Sequence, residues 1–354
     1  MKRLPLLLCI LLTGLVTPVF GKLDGTYMNE AGMTLKTPHA AWDEKGELPH
    51  KKILFIMQQT ASREIIELVQ RFPGFEYEVV LTANEHSIGA DDIYSNPIAG
   101  LSTADKHQEL ADKLAKDYDL VVVANVDFAI LPDEQKFRLM SMVRNGTGLV
   151  RIQSSEPWSE LKKLPYKKPY AKPLPRPEWV AGSNGLPGSR PENFESRIFN
   201  AWQFGHGRIV EVDYGAGYRA GVGLTPYFDY TTDWLFLYET SQAFLAQVLY
   251  YASGVELPAF SVRQDSGKFV VASPEKTTVE GRIRQTDNSV IRNSLDFTNL
   301  PAGKYTADVL VRRNGALVNF GAFPFTVESA FGAVSVEAPR LVPVSYTHLT
   351  LPTT

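Results

Sequence analysis

The sequence of 354 residues has one cysteine, Cys9, too few for a disulfide framework or a thiolate zinc cluster. Neither sign of charge is in large excess: 36 Lys and Arg face 39 Asp and Glu, a net charge of −3. That balance excludes a dominant electrostatic role on nucleic acid. Histidine is scarce, at six residues, and forms no H-x-H or H-E-x-x-H motif, nor is there an EF-hand loop. The acidic residues that could approach a cation, Asp91, Asp92, Asp127 and Glu156, follow no metal-ligand spacing. No Walker loop or G-x-G-x-x-G follows the first apolar run, where Gln58-Gln59-Thr60-Ala61-Ser62 stands instead. No metal or cofactor is therefore expected. What is present is a globular composition, 44% hydrophobic and 21% charged, with length for two domains.

Both ends read as something other than a folded domain. Lys2 and Arg3 precede an apolar stretch from Leu4 to Val16, and Val19 and Gly21 stand at the small-residue positions of a cleavage site. Residues 1–21 thus read as a secretory signal cut after Gly21, and a secreted or periplasmic location is the consequence. The run is short for a membrane span and no stop-transfer segment succeeds it, so no integral membrane segment is expected after cleavage. Cys9 leaves with the signal. Residues 344–354, VSYTHLTLPTT, resemble a translated sequencing adapter, which implies that the natural chain continues beyond Pro343. Without these ends 322 residues remain, at a net charge of −5 once Lys2 and Arg3 are gone.

Residues 22–50 are irregular, and from Lys51 the pattern changes. KKILFIMQQ (51–59), Tyr77 to Thr82, DLVVVANV (119–126) and Gly148 to Ser155 read as strands buried on both faces. Between them lie helical patterns, one capped by Ser62 with Ile65, Ile66, Val69 and Phe72 inward, one through Leu110 and Leu114, and one from Pro132 to Gly146. Residues 157–196 interrupt the rhythm, and 157–177 alone hold six prolines and six basic residues, so that stretch is neither helix nor central strand. Arg197 to Phe204 and Gly207 to Gly215 read as strands around a Gly205-His206-Gly207 turn, and a helix from Thr232 or Asp233 to Gly254 packs back on the sheet. The fold class is α/β: a three-layer, parallel-sheet domain over 51–254, then an all-β sandwich over 255–330 of immunoglobulin-like or fibronectin III-like size. In the second domain FSVRQ, KFVVAS, TVEGRIRQ, SLDFTNL, GKYTADVLVRRNG and FGAFPFTV alternate as strands, with Asn314-Gly315 as a hairpin turn. Residues 331–343 begin a further module or linker.

Parallel sheets of this type bind ligands beyond the carboxyl ends of their strands. Those ends carry Gln58 and Gln59, Asn84 with Glu85 and His86, Asn125 with Asp127, and Ser154, Ser155 and Glu156. The ligand-binding candidates are Gln58, Asn84, Asn125, Trp158, Trp202 and Tyr218, the aromatics because sugars stack on such rings. Catalytic candidates are Asp127, Ser154, Glu156 and His206, with His86 a second candidate base. Polar loop chemistry and core packing explain many of the same residues.

The runs KKILFIM, YDLVVVANVDFAILPDEQ, VRNGTGLVRIQSS and FGHGRIVEVDYG resemble the class I glutamine amidotransferase-like fold, in the divergent form found in secreted bacterial multidomain proteins. In active members the fourth strand enters a G-x-C-x-G elbow whose cysteine is the nucleophile, with His and Glu completing the triad. Here that stretch is Arg151-Ile152-Gln153-Ser154-Ser155-Glu156, and Gln153 falls near the nucleophile position. An amide cannot serve as that nucleophile, so amidotransferase activity is not expected. Ser154 lacks the G-x-S-x-G turn that would present a serine. The resemblance implies a non-catalytic binding or architectural module, with carbohydrate or a protein as partner and homo-oligomers among its forms, since the same domain type trimerises some β-galactosidases. The alternatives are a hydrolase, glycosidase- or esterase-like, with its site at the strand ends, and a structural module whose chemistry lies downstream.

Overall fold

A computed structural model describes residues 35–40, 42–59, 62–90, 102–153, 171–175, 177, 199–214, 223–225 and 233–328. The signal reading, the adapter reading and most of the Pro-rich insertion fall outside them. The apolar runs form strands in the order the sequence implies: β1 (Lys51–Gln58), β2 (Phe75–Thr82), β3 (Leu120–Ala124) and β4 (Gly148–Ile152). Helices α1 (Arg63–Arg71), α2 (Thr103–Leu114) and α3 (Asp133–Asn145) connect them. After the short β5 (Ala171–Pro173) come the hairpin β6 (Phe199–Phe204) and β7 (Gly207–Val212), then helix α4 (Asp233–Ala252). The sheet order is β2-β1-β3-β4-β7-β6-β5.

The five strands from β2 to β7 run parallel, whereas β6 and β5 pair antiparallel to their neighbours. The sheet is therefore mixed, not wholly parallel, because the two-glycine turn returns β6 directly into β7. That turn is closely packed: Gly205 has φ +60° and a side chain at Gly207 would meet the Val143 carbonyl at 2.2 Å. Pro173 is tolerated because β5 is an edge strand.

Strand alternation divides the apolar residues between two faces. Ile53, Phe55, Val122 and Val150 pack with α1 and α4, whereas Leu54, Ile56, Val121, Val123 and Leu149 pack with α2 and α3. Ser62 does not cap α1 with its side chain; its backbone is already helical (φ −60°, ψ −27°), which takes Oγ away from the amides it would bond. At α2, by contrast, Ser102 Oγ accepts from the Asp105 amide at 3.1 Å.

The C-terminal part contains antiparallel sheets separate from the first. One hairpin is β8 (Ser261–Asp265) with β9 (Lys268–Ala272). A four-stranded sheet, ordered β11-β10-β12-β13, joins β10 (Thr277–Arg284), β11 (Val290–Arg292), β12 (Gly303–Arg313) and β13 (Ala316–Val327). Asn314 and Gly315, at φ +53° and +85°, make the tight turn between β12 and β13. The expected strand SLDFTNL shrinks to a single antiparallel bridge, Asp296 to Lys268, where the Phe269 amide donates to the Leu295 carbonyl at 2.9 Å; Asp296 Oδ1 then accepts from the Thr298 amide at 2.9 Å, a local turn that ends the pairing. Phe297 instead packs against Phe269 and Phe325, joining the hairpin to the larger sheet.

Helix α4 packs against more than the first sheet. Its other side meets β13, so residues 239–250 are all buried. Trp42, Phe72 and Phe320 meet there, with ring centroids 5.7 Å (Trp42–Phe320) and 5.1 Å (Phe72–Phe320) apart. One apolar cluster consequently runs from β1 to β13. Charge is buried in the same region. Arg71 forks onto Glu239 through Nε and Nη2, and its Nη1 reaches Glu67 Oε2 at 2.8 Å. Nearby, Arg284 grips Asp308 at 2.6 and 2.7 Å, and the Trp42 ring lies 5.7 Å from its guanidinium. Among the described residues no helix is long and apolar enough to cross a membrane.

Candidate functional site

The strand order reverses direction at β1, which has β2 on one side and β3 on the other. Doubly wound sheets open a crevice at the carboxyl ends beside such a point. Gln58 ends β1 in register with Thr82, and its Nε2 donates to the Asn125 carbonyl at 2.9 Å. Asn125 comes after β3 with φ +47°, a conformation Asn tolerates better than most residues, and its amide donates to the Ile152 carbonyl at 2.8 Å. Beyond β2, Asn84 Oδ1 accepts from the His86 amide at 2.8 Å and closes a turn. That turn sets His86 Nδ1 2.5 Å from Asp127 Oδ2 and Nε2 2.8 Å from Glu85 Oε1. The Asp127 amide in turn donates to the Glu85 carbonyl at 2.8 Å.

Gln58, Asn84, Asn125 and Asp127 are thus brought together, with Glu85 and His86. The hydrogen bond to Asp127, reinforced by the charges of Asp127 and Glu85, holds the exposed imidazole above the ordinary histidine pKa. The imidazole held between the two carboxylates forms a hydrogen-bonded cluster in which Asp127 and Glu85 fix the orientation of the ring.

The other candidates fall elsewhere. His206 sits in the β6–β7 turn, where its amide donates to the Arg144 carbonyl at 2.9 Å. This is the amino end of the parallel strands, so the length of β4, about 15 Å at 3.3 Å per residue, separates it from the crevice. His206 and Asp127 therefore cannot cooperate directly. Trp202 pairs with Ile209 near the same amino end and packs against the α2/α3 face, away from the crevice. Ser154, Glu156, Trp158 and Tyr218 lie outside the described residues, as do Asp91 and Asp92.

At the end of β4, Gln153 adopts φ +53° and is only 3% exposed. Its amide donates to the Val212 carbonyl at 2.8 Å, and its Oε1 accepts from the Tyr214 amide at 2.7 Å. The left-handed geometry of a presented side chain is therefore combined with a buried amide tied to the next strand. Beneath the crevice Arg151, also buried, donates to Glu211 Oε1 at 2.6 Å and lies 5.7 Å from the Phe128 ring.

Sequence reasoning did not single out Arg151 or Glu64. A charge inside the apolar run GLVRI was the signal for the first. Glu64, in the first turn of α1, accepts from the backbone amides of Leu224 and Thr225, the second at 2.9 Å. Burial, only partly offset by these hydrogen bonds, raises its pKa to about 7. Among the described residues no group of three or more His, Cys, Asp or Glu is placed to hold a metal. No protein-family model matches the chain, and no curated protein matches it, so its own residues carry the functional reading.

Proposed function

We propose that this chain is an exported, non-catalytic module of amidotransferase-like fold that binds a ligand at the crevice of Gln58, Asn84, Asn125 and Asp127. The observation that carries the reading is Gln153: the position that would present a nucleophile holds a buried amide, engaged by Tyr214. Carbohydrate is the ligand class we favour, because clustered amide and carboxylate side chains offer the paired donors and acceptors that sugar hydroxyls use. Its fold-level support is the family resemblance. We read the C-terminal sheets as an immunoglobulin-like or fibronectin III-like sandwich with a spacing role. A homo-oligomer or a protein partner fits the same architectural role.

The protein is expected to release no ammonia from glutamine above the buffer rate; sustained release would overturn the reading. A second reading, a hydrolase, draws on the 2.5 Å His86–Asp127 contact, the base-and-orienter pair of acyl-transfer sites. Turnover of an activated ester or aryl glycoside that Asp127→Asn abolishes would favour it.

A further inference from the structure

We propose that His86 is the ligand-facing residue of the crevice: Asp127 positions its ring, and Glu85 occupies Nε2 until a ligand hydroxyl takes its place. The inference rests on the crevice reading above and adds to it a residue and the kind of group that residue binds.

The ring is fixed and exposed at once. Its backbone is held in the turn after β2, where the His86 amide donates to Asn84 Oδ1 at 2.8 Å and the Asn84 amide to the Ser87 carbonyl at 3.2 Å. Thr82 Oγ1 braces the same turn, donating to the Asn84 carbonyl at 3.0 Å. The exit of β3 is tied to it, because the Asp127 amide donates to the Glu85 carbonyl at 2.8 Å. Nδ1 then meets Asp127 Oδ2 at 2.5 Å, and Nε2 meets Glu85 Oε1 at 2.8 Å. Yet the His86 side chain is 66% exposed, against 20% for Asp127. A polar group held in one orientation while it faces solvent loses little freedom on binding, which favours a ligand contact.

A carboxylate only accepts hydrogen bonds, so contact with Asp127 keeps a proton on Nδ1 and leaves Nε2 to change with the charge of the ring. In the imidazolium, Nε2–H donates to Glu85. In the neutral ring the Nε2 lone pair faces a carboxylate oxygen, two acceptors that repel, and Glu85, itself 43% exposed, turns to water. Nε2 is then a free acceptor at the crevice, matched to a hydroxyl donor such as a sugar supplies. Anionic ligands are disfavoured there by Asp127 and Glu85. Among the described residues these two are the charged groups acting on the ring, Asp127 from the exit of β3 and Glu85 from its own turn. Both hold the imidazole pKa above the ordinary 6.5, so hydroxyl binding strengthens as pH rises through that higher midpoint.

Two measurements on the full chain test the assignment. Nitrogen NMR of the His86 ring is expected to show both nitrogens protonated at pH 5 and the Nδ1–H tautomer at pH 9. Asp127→Ala is expected to convert that tautomer to the Nε2–H form that free imidazole side chains prefer. An Nε2–H ring in the wild type at pH 9, or no change in Asp127→Ala, would overturn positioning by Asp127. Glycan-array screening is then read at both pH values for wild type and for His86→Ala, which keeps the backbone amide that Asn84 holds. Wild-type binding is expected to be about tenfold tighter at pH 9 than at pH 5, and about tenfold weaker in the variant at pH 9, the worth of one hydrogen bond. A bound glycan indifferent to His86→Ala and to pH would overturn the role of His86 and leave the crevice reading standing. No bound glycan at either pH, with the tautomers as expected, would remove the crevice reading and the ligand role together.

Discussion

Glu239→Ala is expected to destabilise the protein by about 3–5 kcal/mol, because removing one partner of a buried ion pair strands the other charge. Arg71 is 2% exposed and Glu239 1%. The carboxylate takes two guanidinium nitrogens and also the Ala40 amide at 3.2 Å. Glu67 would keep part of the guanidinium satisfied, but the remaining nitrogens have no route to water from this interior. The double variant Arg71→Met/Glu239→Leu is expected to recover most of the loss, since apolar side chains can fill the space without desolvating charge. Urea denaturation of the three proteins measures both effects. A single-variant cost below about 1 kcal/mol, the scale of surface pairs, would show that this pair is solvated.

Phe320→Ala is expected to cost about 3–5 kcal/mol, the usual range for emptying a buried phenylalanine site. Phe320 is fully buried where β13 meets α4, with Trp42 and Phe72 against its ring. The Gln247 side chain also bonds the Phe320 carbonyl, so backbone and ring fix the same contact. The cost should appear as one cooperative transition, because the apolar cluster is continuous from β1 to β13. Loss of the C-terminal sheet in a separate, earlier transition, with the first sheet unaffected, would mean that the two parts are stabilised independently.

How much of this was legible in the sequence depended on whether the deciding contacts were local. The central strands were readable because a parallel strand covered on both faces is apolar throughout, as LVVVA of β3 is. Asn314-Gly315 was readable because a two-residue hairpin demands positive φ at both positions. The double covering of α4 was not, since near-continuous apolarity shows that a helix is buried but not by what. SLDFTNL alternates like a strand, yet it pairs only through one bridge, Asp296 to Lys268, before the Asp296 side chain turns the chain at Thr298.

The site divided in the same way. Polar residues directly after β1, β2 and β3 were found because strand exits are visible, and Gln58, Asn84, Asn125 and Asp127 do converge. His206 lies in the turn its flanking glycines signalled, but that turn is at the opposite end of the sheet from the crevice, a consequence of β7 running parallel to β4. Glu64 went unnoticed because its partners lie 160 positions away, and no spacing rule reaches that far.

A silent scaffold that binds saccharide at the β1–β2–β3 crevice is tested most directly by glycan-array screening of the full chain. Calorimetric titration of the best ligand into wild type, Gln58→Ala and Asn84→Ala completes the measurement. The expected result is a saccharide bound and left intact, with affinity reduced about tenfold by each variant, the equivalent of one hydrogen bond of about 1.4 kcal/mol. A chain that binds no saccharide, binds it equally well without those side chains, or cleaves it, would contradict the account.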